Sequence, residues 1–274
     1  MQFEFPWALG PADGRYVVRE AAGEAASHVL VLATLGAPER RRMRDRRGRA
    51  AAPEPPPTPV TTSRATVVDA EATTRDDAER WLAAADAGAA QAALALVARA
   101  VRAHRVASAD PAVREPSLAQ ALVVRAGYGG GEQVAAGRWS AARELPPPRA
   151  ARRPRAAGLA PQERTAALLG GHARALACEE LALRARADLD AGLLRQAALQ
   201  LHAALEAAIA ELSPRDGSAD PRARVAELRE YRPEIAELAH GALADAVPAD
   251  AFERLDAALQ RLEAALRARN AGIV

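Results

Sequence analysis

Histidines that lie near carboxylates are the residues of this chain best suited to chemistry. His172 precedes Glu179 by seven residues on a leucine-containing face, and Glu237 precedes His240 by three. Imidazole and carboxylate groups from facing helices are the ligands that build metal sites in helical bundles. The helical period places Glu237 and His240 away from the apolar stripe of their helix. We therefore expect no metal site, and whether His172 and Glu179 form a functional or a structural pair stays open.

The single cysteine, Cys178, is the other side chain that could react. A cysteine nucleophile needs support that raises its thiolate fraction, and the sequence offers no histidine and aspartate arrangement for that purpose. We expect Cys178 to be a buried residue that packs like an alanine. One cysteine cannot form an internal disulfide, which fits a reducing compartment.

Two segments could contact phosphate groups. The glycine run 127–131 would let backbone amides approach an anion, but we expect a helix rather than a strand before it and interpret it as a connection between helices. The segment 38–60 joins an arginine run to a proline run and is predicted to be a long, disordered loop. It has no interleaved aromatic residues, so solvation is favoured over nucleic-acid binding. If the segment bound nucleic acid instead, the arginines in contact with phosphate groups would be Arg40, Arg41, Arg42, Arg44, Arg46, Arg47 and Arg49.

The composition excludes several kinds of chemistry. All 37 basic residues are arginine, set against 35 acidic ones, and such arginine and alanine usage is typical of a GC-rich bacterial coding sequence. Without lysine, a Walker-type phosphate loop and Schiff-base chemistry with pyridoxal phosphate are excluded, and we expect no cofactor. No signal peptide or membrane-length apolar stretch is visible, so we expect a cytoplasmic protein.

The length of 274 residues fits one large or two small domains, with a core of leucine, valine and alanine because only 3% of the chain is aromatic. The first 70 residues show short runs with a period of two, which predict an antiparallel sheet of three or four strands. Thr74 followed by Asp77 predicts a helix start, and the helices that follow would cover the sheet. Two shorter helices are predicted at 117–125 and 132–143.

A proline- and arginine-rich linker is predicted at 146–158, between a domain over 1–145 and a second domain over 159–274. The second domain is helical throughout, and its pattern predicts an antiparallel bundle. The predicted fold class is α+β and mostly α, with a small N-terminal antiparallel sheet, covering helices and a C-terminal antiparallel helical bundle. The bundle helices are expected at 161–187 and 193–212 and after Asp220 and Asp250.

The segment 181–210 is predicted to form a helix, a tight turn ending at Gly192, and a second helix. It resembles the opening hairpin of HEPN domains, which are small helical bundles, and equally a single tetratricopeptide unit. HEPN domains that cut RNA carry Arg followed after four to six residues by His. Arg195 and His202 have six residues between them and lie on one side of the helix. The resemblance implies that this pair would handle phosphate charge and proton transfer, but it lies in the second helix of the bundle rather than late in it.

No set of residues passes these tests as a convergent catalytic site, so we lean against an enzyme. We expect a non-catalytic interaction or scaffold protein that self-associates, or binds a protein partner, through alanine-rich helical faces, with no membrane contact. The alternative is a HEPN-like ribonuclease or RNA-binding protein that uses Arg195 and His202.

Overall fold

The structure is a computed structural model that describes residues 1–19, 21, 23–36, 61–146, 155–213, 219–248 and 250–271. The chain divides into two units, Met1–Ala151 and Arg152–Val274, which we call unit 1 and unit 2. Their boundary lies within 146–158, the segment predicted as a linker. The predicted loop at 38–60 lies outside the described residues.

Unit 1 contains one antiparallel sheet of six strands, with the strand order β2-β3-β4-β1-β5-β6. The strands are β1 (Gln2–Phe5), β2 (Gly14–Val18), β3 (His28–Leu35), β4 (Thr62–Asp69), β5 (Val123–Tyr128) and β6 (Ala141–Glu144). The helices are α1 (Arg75–Ala84), α2 (Ala87–Ser108) and the short α3 (Gly131–Ala135), and a 3₁₀ turn covers Leu118–Gln120. With the helical unit 2, this confirms the predicted α+β, mostly α class.

The first strand lies at the centre of the sheet, between β4 and β5. Its alternation sends Phe3 and Phe5 to one face, where both are fully buried. Val97 and Val101 of α2 are buried in the same cluster. Helix α1 begins as predicted, because the Thr74 hydroxyl accepts a hydrogen bond from the amide of Asp77. One face of the sheet is therefore covered by helix.

The sheet is larger than the three or four strands predicted. The predicted helices at 117–125 and 132–143 are wrong, because these segments supply parts of β5 and β6 and only four residues of α3. In β5, the alternate residues Val124 and Ala126 are buried in the core. A run of six residues is too short for this period of two to outweigh a helical interpretation. The sequence of β6, Ala-Ala-Arg-Glu, favours helix, but pairing with β5 makes it an edge strand.

Unit 2 consists of helices. They are α4 (Arg155–Leu169), α5 (Ala177–Asp190), α6 (Leu194–Glu211), α7 (Ala219–Leu243) and α8 (Ala251–Ala271). The bounds of α6 and the start of α8 confirm the prediction. The single helix predicted at 161–187 is wrong, because Gly171 takes a φ of +72° and separates α4 from α5. Pro161 lies inside α4 rather than at its first position.

The core of unit 2 is built from leucine and alanine. Leu201, Leu205, Leu255 and Leu259 are buried in it. Alanines fill the positions between the leucines, and small side chains let helix backbones approach closely. The buried alanines are Ala182, Ala185, Ala197, Ala198, Ala204, Ala208, Ala242, Ala251, Ala258 and Ala265.

No single helix among the described residues has the length and hydropathy of a membrane span. The pair α1 and α2 passes such a test only jointly, and it is bent by 102°.

Candidate functional site

The two residues of the HEPN-type spacing lie on α6, where Arg195 reaches the C-terminal end of α7. The Arg195 Nε donates a hydrogen bond to the carbonyl oxygen of Ala242 at 2.9 Å. Its Nη1 lies 2.8 Å from a carboxylate oxygen of Asp245. The Ala242 carbonyl also accepts a hydrogen bond from the Asp245 amide at 3.3 Å, so the guanidinium is its second donor and complements the helix dipole. Arg195 therefore fastens the start of α6 to the end of α7.

His202 lies two turns further along the same side of α6, about 10 Å from Arg195 along the helix axis. Its Nδ1 is buried and has no hydrogen-bond partner in the described part of the chain. One turn later, Glu206 accepts two hydrogen bonds from Arg232 of α7, at 2.6 and 3.0 Å. The structure thus places Arg195 and His202 on one side of the helix, as predicted. Arg195 is committed to α7 instead of being directed toward His202.

Cys178 lies in the first turn of α5 and is fully buried, which confirms the prediction that it packs in the core. The carboxylate of Glu211 accepts hydrogen bonds from the backbone amides of Ala177 and Cys178, at 3.1 and 3.0 Å. Burial, with the Glu211 carboxylate as the second cause, raises the pKa of the Cys178 thiol to about 12. A thiol in this state is a poor nucleophile. No local pattern in the sequence indicates this role of Glu211, because Glu211 lies 33 positions from Cys178.

We expect Cys178 to resist thiol reagents in the native protein. At neutral pH its thiolate fraction is negligible, and the core around it must open before a reagent can reach the sulfur. The time course of reaction with a chromogenic disulfide should show no labelling in buffer and one thiol per chain in denaturant. Rapid stoichiometric labelling of the folded chain would contradict this description of Cys178.

The predicted pair of His172 and Glu179 is not formed. Glu179 accepts a hydrogen bond from the backbone amide of Leu176 at 2.9 Å, and its other partners are Arg164 and Asn270. His172 is exposed in the turn between α4 and α5. Glu179 therefore has a structural role as the cap of α5 and as a link to α4 and α8.

The second pair considered for a metal, Glu237 and His240, is exposed on α7, as the helical period predicts. Within the ranges that the structure describes, no group of three or more metal-ligating side chains occurs.

The glycine run 127–131 differs from its predicted setting, because it follows strand β5 and precedes α3. A cavity of about 370 Å³ lies beside it. The one arginine in its lining, Arg75, is ion-paired with Glu79, which also accepts a hydrogen bond from Tyr128. Its charge is therefore already balanced by a carboxylate. The lining residues are Thr73, Thr74, Arg75, Ala78, Tyr128, Gly129 and Ser140.

The Arg195 end of the bundle also exposes large apolar side chains. Leu243, the last residue of α7, is 68% exposed, and Phe252, in the first turn of α8, is 46% exposed. Both flank the connection that holds Asp245, the ion-pair partner of Arg195. We call these four residues the bundle-end surface. The sequence contains one signal for this surface, because Leu243 is a large apolar residue outside the apolar stripe of α7.

The arginines of the predicted nucleic-acid alternative, 40–49, lie outside the described residues. No protein-family model, no curated protein and no solved structure matches the chain.

Proposed function

We propose that this chain is a non-catalytic interaction protein that self-associates through the bundle-end surface of unit 2. The observation that carries the proposal is the exposure of Leu243 and Phe252 at the end of the bundle that also holds the Arg195–Asp245 ion pair. Interfaces are enriched in aromatic residues and arginine at their centres, and exposed apolar side chains rimmed by charge are typical of contact sites.

A second copy of the chain is the partner that this surface fits. In a two-fold interface, the same patch meets itself, so each apolar side chain and each charge must find a complement on an identical surface. The bundle-end surface contains one cation and one anion around two apolar side chains. In such a dimer Leu243 and Phe252 of the two copies are buried against each other, and the Arg195–Asp245 pair of each copy lies at the rim.

The described contacts of the candidate reactive side chains are structural ones. Cys178 is buried with a raised pKa, Glu179 and Glu211 cap helix α5, and Arg195 holds the end of α7. The ribonuclease alternative stays a prediction. We do not adopt it, because the Nε and Nη1 of Arg195 already bind α7 and the connection after it.

The proposal is tested by replacing both apolar residues of the surface with serine, Leu243→Ser and Phe252→Ser, and measuring mass by light scattering over a range of concentrations. Both side chains are exposed, so we expect the double variant to fold and to be monomeric. The matched control is Leu183→Ser on α5, which is also 68% exposed, and it should keep the wild-type mass. Equal loss of association in the control would remove this surface from the proposal, and a wild type that stays monomeric would overturn the proposal itself.

A further inference from the structure

The face of the sheet opposite α1 and α2 carries a row of polar side chains. Gln2 is at its centre, where its Nε2 donates to the Thr66 hydroxyl at 3.2 Å and its Oε1 accepts from Arg125 at 3.0 Å. Gln2 and Thr66 are fully buried. Two charged residues end the row, Arg15 on edge strand β2, beyond the apolar Val31 of β3, and Glu144 on edge strand β6. Complete burial is unusual for glutamine and threonine, and it requires another segment of the chain to cover the row.

That cover is the connection between β5 and β6, residues 129–140, which we call the strap. A Cβ atom placed on Gly137 would lie 2.9 Å from both the Gln2 Nε2 and the Arg64 Nη1, so the strap backbone passes directly over the row. Trp139 lies over Gly127 in β5, where a Cβ atom would be only 2.7 Å from the indole ring. Val134 in α3 is buried. The strap therefore crosses the sheet above the polar row.

At the far edge of the sheet, the strap is fastened by one ion pair. The Arg15 Nη1 donates to a Glu132 carboxylate oxygen at 2.6 Å, and Nη2 binds the other oxygen. Both side chains are more than half exposed, at 54% and 75%. Solvent and salt weaken an ion pair in such a place, so this fastening is a weak one.

The base of the strap has room for backbone movement. Gly130 and Gly131 have open space where a side chain would be. Glycine allows the backbone changes that a hinge needs. The closed position also has a cost, because the Trp139 indole nitrogen is buried without a hydrogen-bond partner among the described residues. Opening would return this donor, and the polar row, to water.

We propose that residues 129–140 act as a hinged strap that opens from the polar face of the sheet, and that the ion pair between Arg15 and Glu132 is its latch. Opening exposes Gln2 and Thr66, and the latch adds a small favourable contribution to the packing of Val134 and Trp139 that holds the strap closed. Because the latch is an exposed ion pair, the equilibrium between the two states shifts toward the open state as ionic strength rises.

The test places a cysteine under the strap. In Val134→Cys, the new thiol is covered when the strap is closed and accessible when it is open. Cys178, in the core of unit 2, is the reference within the same chain. We expect a maleimide to label the introduced cysteine much faster than Cys178, at a rate that increases with salt. Labelling of the two thiols at equally slow rates would overturn the strap.

The latch is tested by Glu132→Gln in the same background. Loss of the exposed ion pair should speed labelling of the introduced cysteine roughly two- to fivefold and remove its salt dependence. Glu144→Gln is the matched control, because Glu144 also forms an exposed ion pair, with Arg125 at 2.9 Å in the same row. It should leave the labelling rate unchanged. Equal acceleration by both variants would show general loosening of the sheet and overturn the assignment of the latch.

A second readout does not depend on the Val134 substitution. In a chain with Trp7→Phe and Trp81→Phe, Trp139 is the remaining indole. We expect Glu132→Gln to raise the acrylamide quenching of Trp139 fluorescence, and Glu144→Gln to leave it as it was. Quenching that is unaffected by Glu132→Gln would contradict the proposal.

Discussion

Replacing Phe3 by alanine should lower the free energy of unfolding of unit 1 by about 3–5 kcal/mol. Phe3 is fully buried in the central strand β1 and stacks on Phe5, with ring centroids 6.4 Å apart. Both neighbouring strands enclose it, so the lost ring leaves a cavity that the sheet cannot fill by a small shift. Urea unfolding followed by tryptophan fluorescence measures the change, because Trp7, Trp81 and Trp139 all lie in unit 1 and the Trp7 and Phe5 ring centroids are 5.1 Å apart.

The control for this prediction is Leu122→Ala, just before β5. Leu122 is 60% exposed, so its truncation should change stability by no more than about 0.5 kcal/mol. A similar loss in the two variants would contradict the central position of β1 in the core.

Replacing Leu205 by alanine should destabilise unit 2 by about 2–5 kcal/mol. Leu205 is fully buried in a core where alanines occupy the neighbouring positions. Alanine has no rotatable side chain with which to fill a cavity, so the core can relax only by moving whole helices. The labelling rate of Cys178, which lies in the same core, reports how often the core opens. We expect at least about a tenfold faster rate.

Leu183→Ala on α5 is the matched control for Leu205→Ala. The Leu183 side chain is exposed, and its loss should leave the labelling rate of Cys178 near the wild-type value. If Leu183→Ala accelerated labelling as much as Leu205→Ala, the division of the leucines into core and surface would be wrong.

The parts of the fold that could be predicted are those with a long or strong periodic signal. The alternation of Phe3 and Phe5 predicts a strand, and the leucine spacing of α6 and α8 predicts two helices. The observed bounds of α6 and the observed start of α8 agree with these predictions within two residues. Strands β5 and β6 could not be found in this way. Their runs are short, and β6 has the composition of a helix, so its conformation is determined by pairing with β5, which itself pairs with the distant β1.

The candidate site was predictable to a smaller extent. Helical geometry places Arg195 and His202 on one side of α6, and the lack of a supporting base for Cys178 predicts its burial. The partners of these residues come from elsewhere in the chain. Asp245 and Glu211 reach Arg195 and Cys178 only through the packing of α6 and α7 and of α5 and α6, and a single sequence carries no local signal for such contacts.

The glycine run and the polar row show that the same sequence pattern has different structures in different settings. A glycine run such as 127–131 predicts a helix connection when it follows a helix and a strand connection when it follows a strand. Because β5 was not predicted, the strap could not be predicted either. Gln2 and Glu4 alternate with two phenylalanines, which predicts polar residues on a solvated face. The structure buries Gln2 instead, because the connection between β5 and β6 folds back over that face.

Self-association through the bundle-end surface is most directly tested by sedimentation equilibrium of the unmodified chain at micromolar concentrations. A dimer that dissociates on dilution, with a mass twice that of the 28.8 kDa chain at the upper end of the range, is the predicted result. A single species of 28.8 kDa at every concentration would contradict the proposed function.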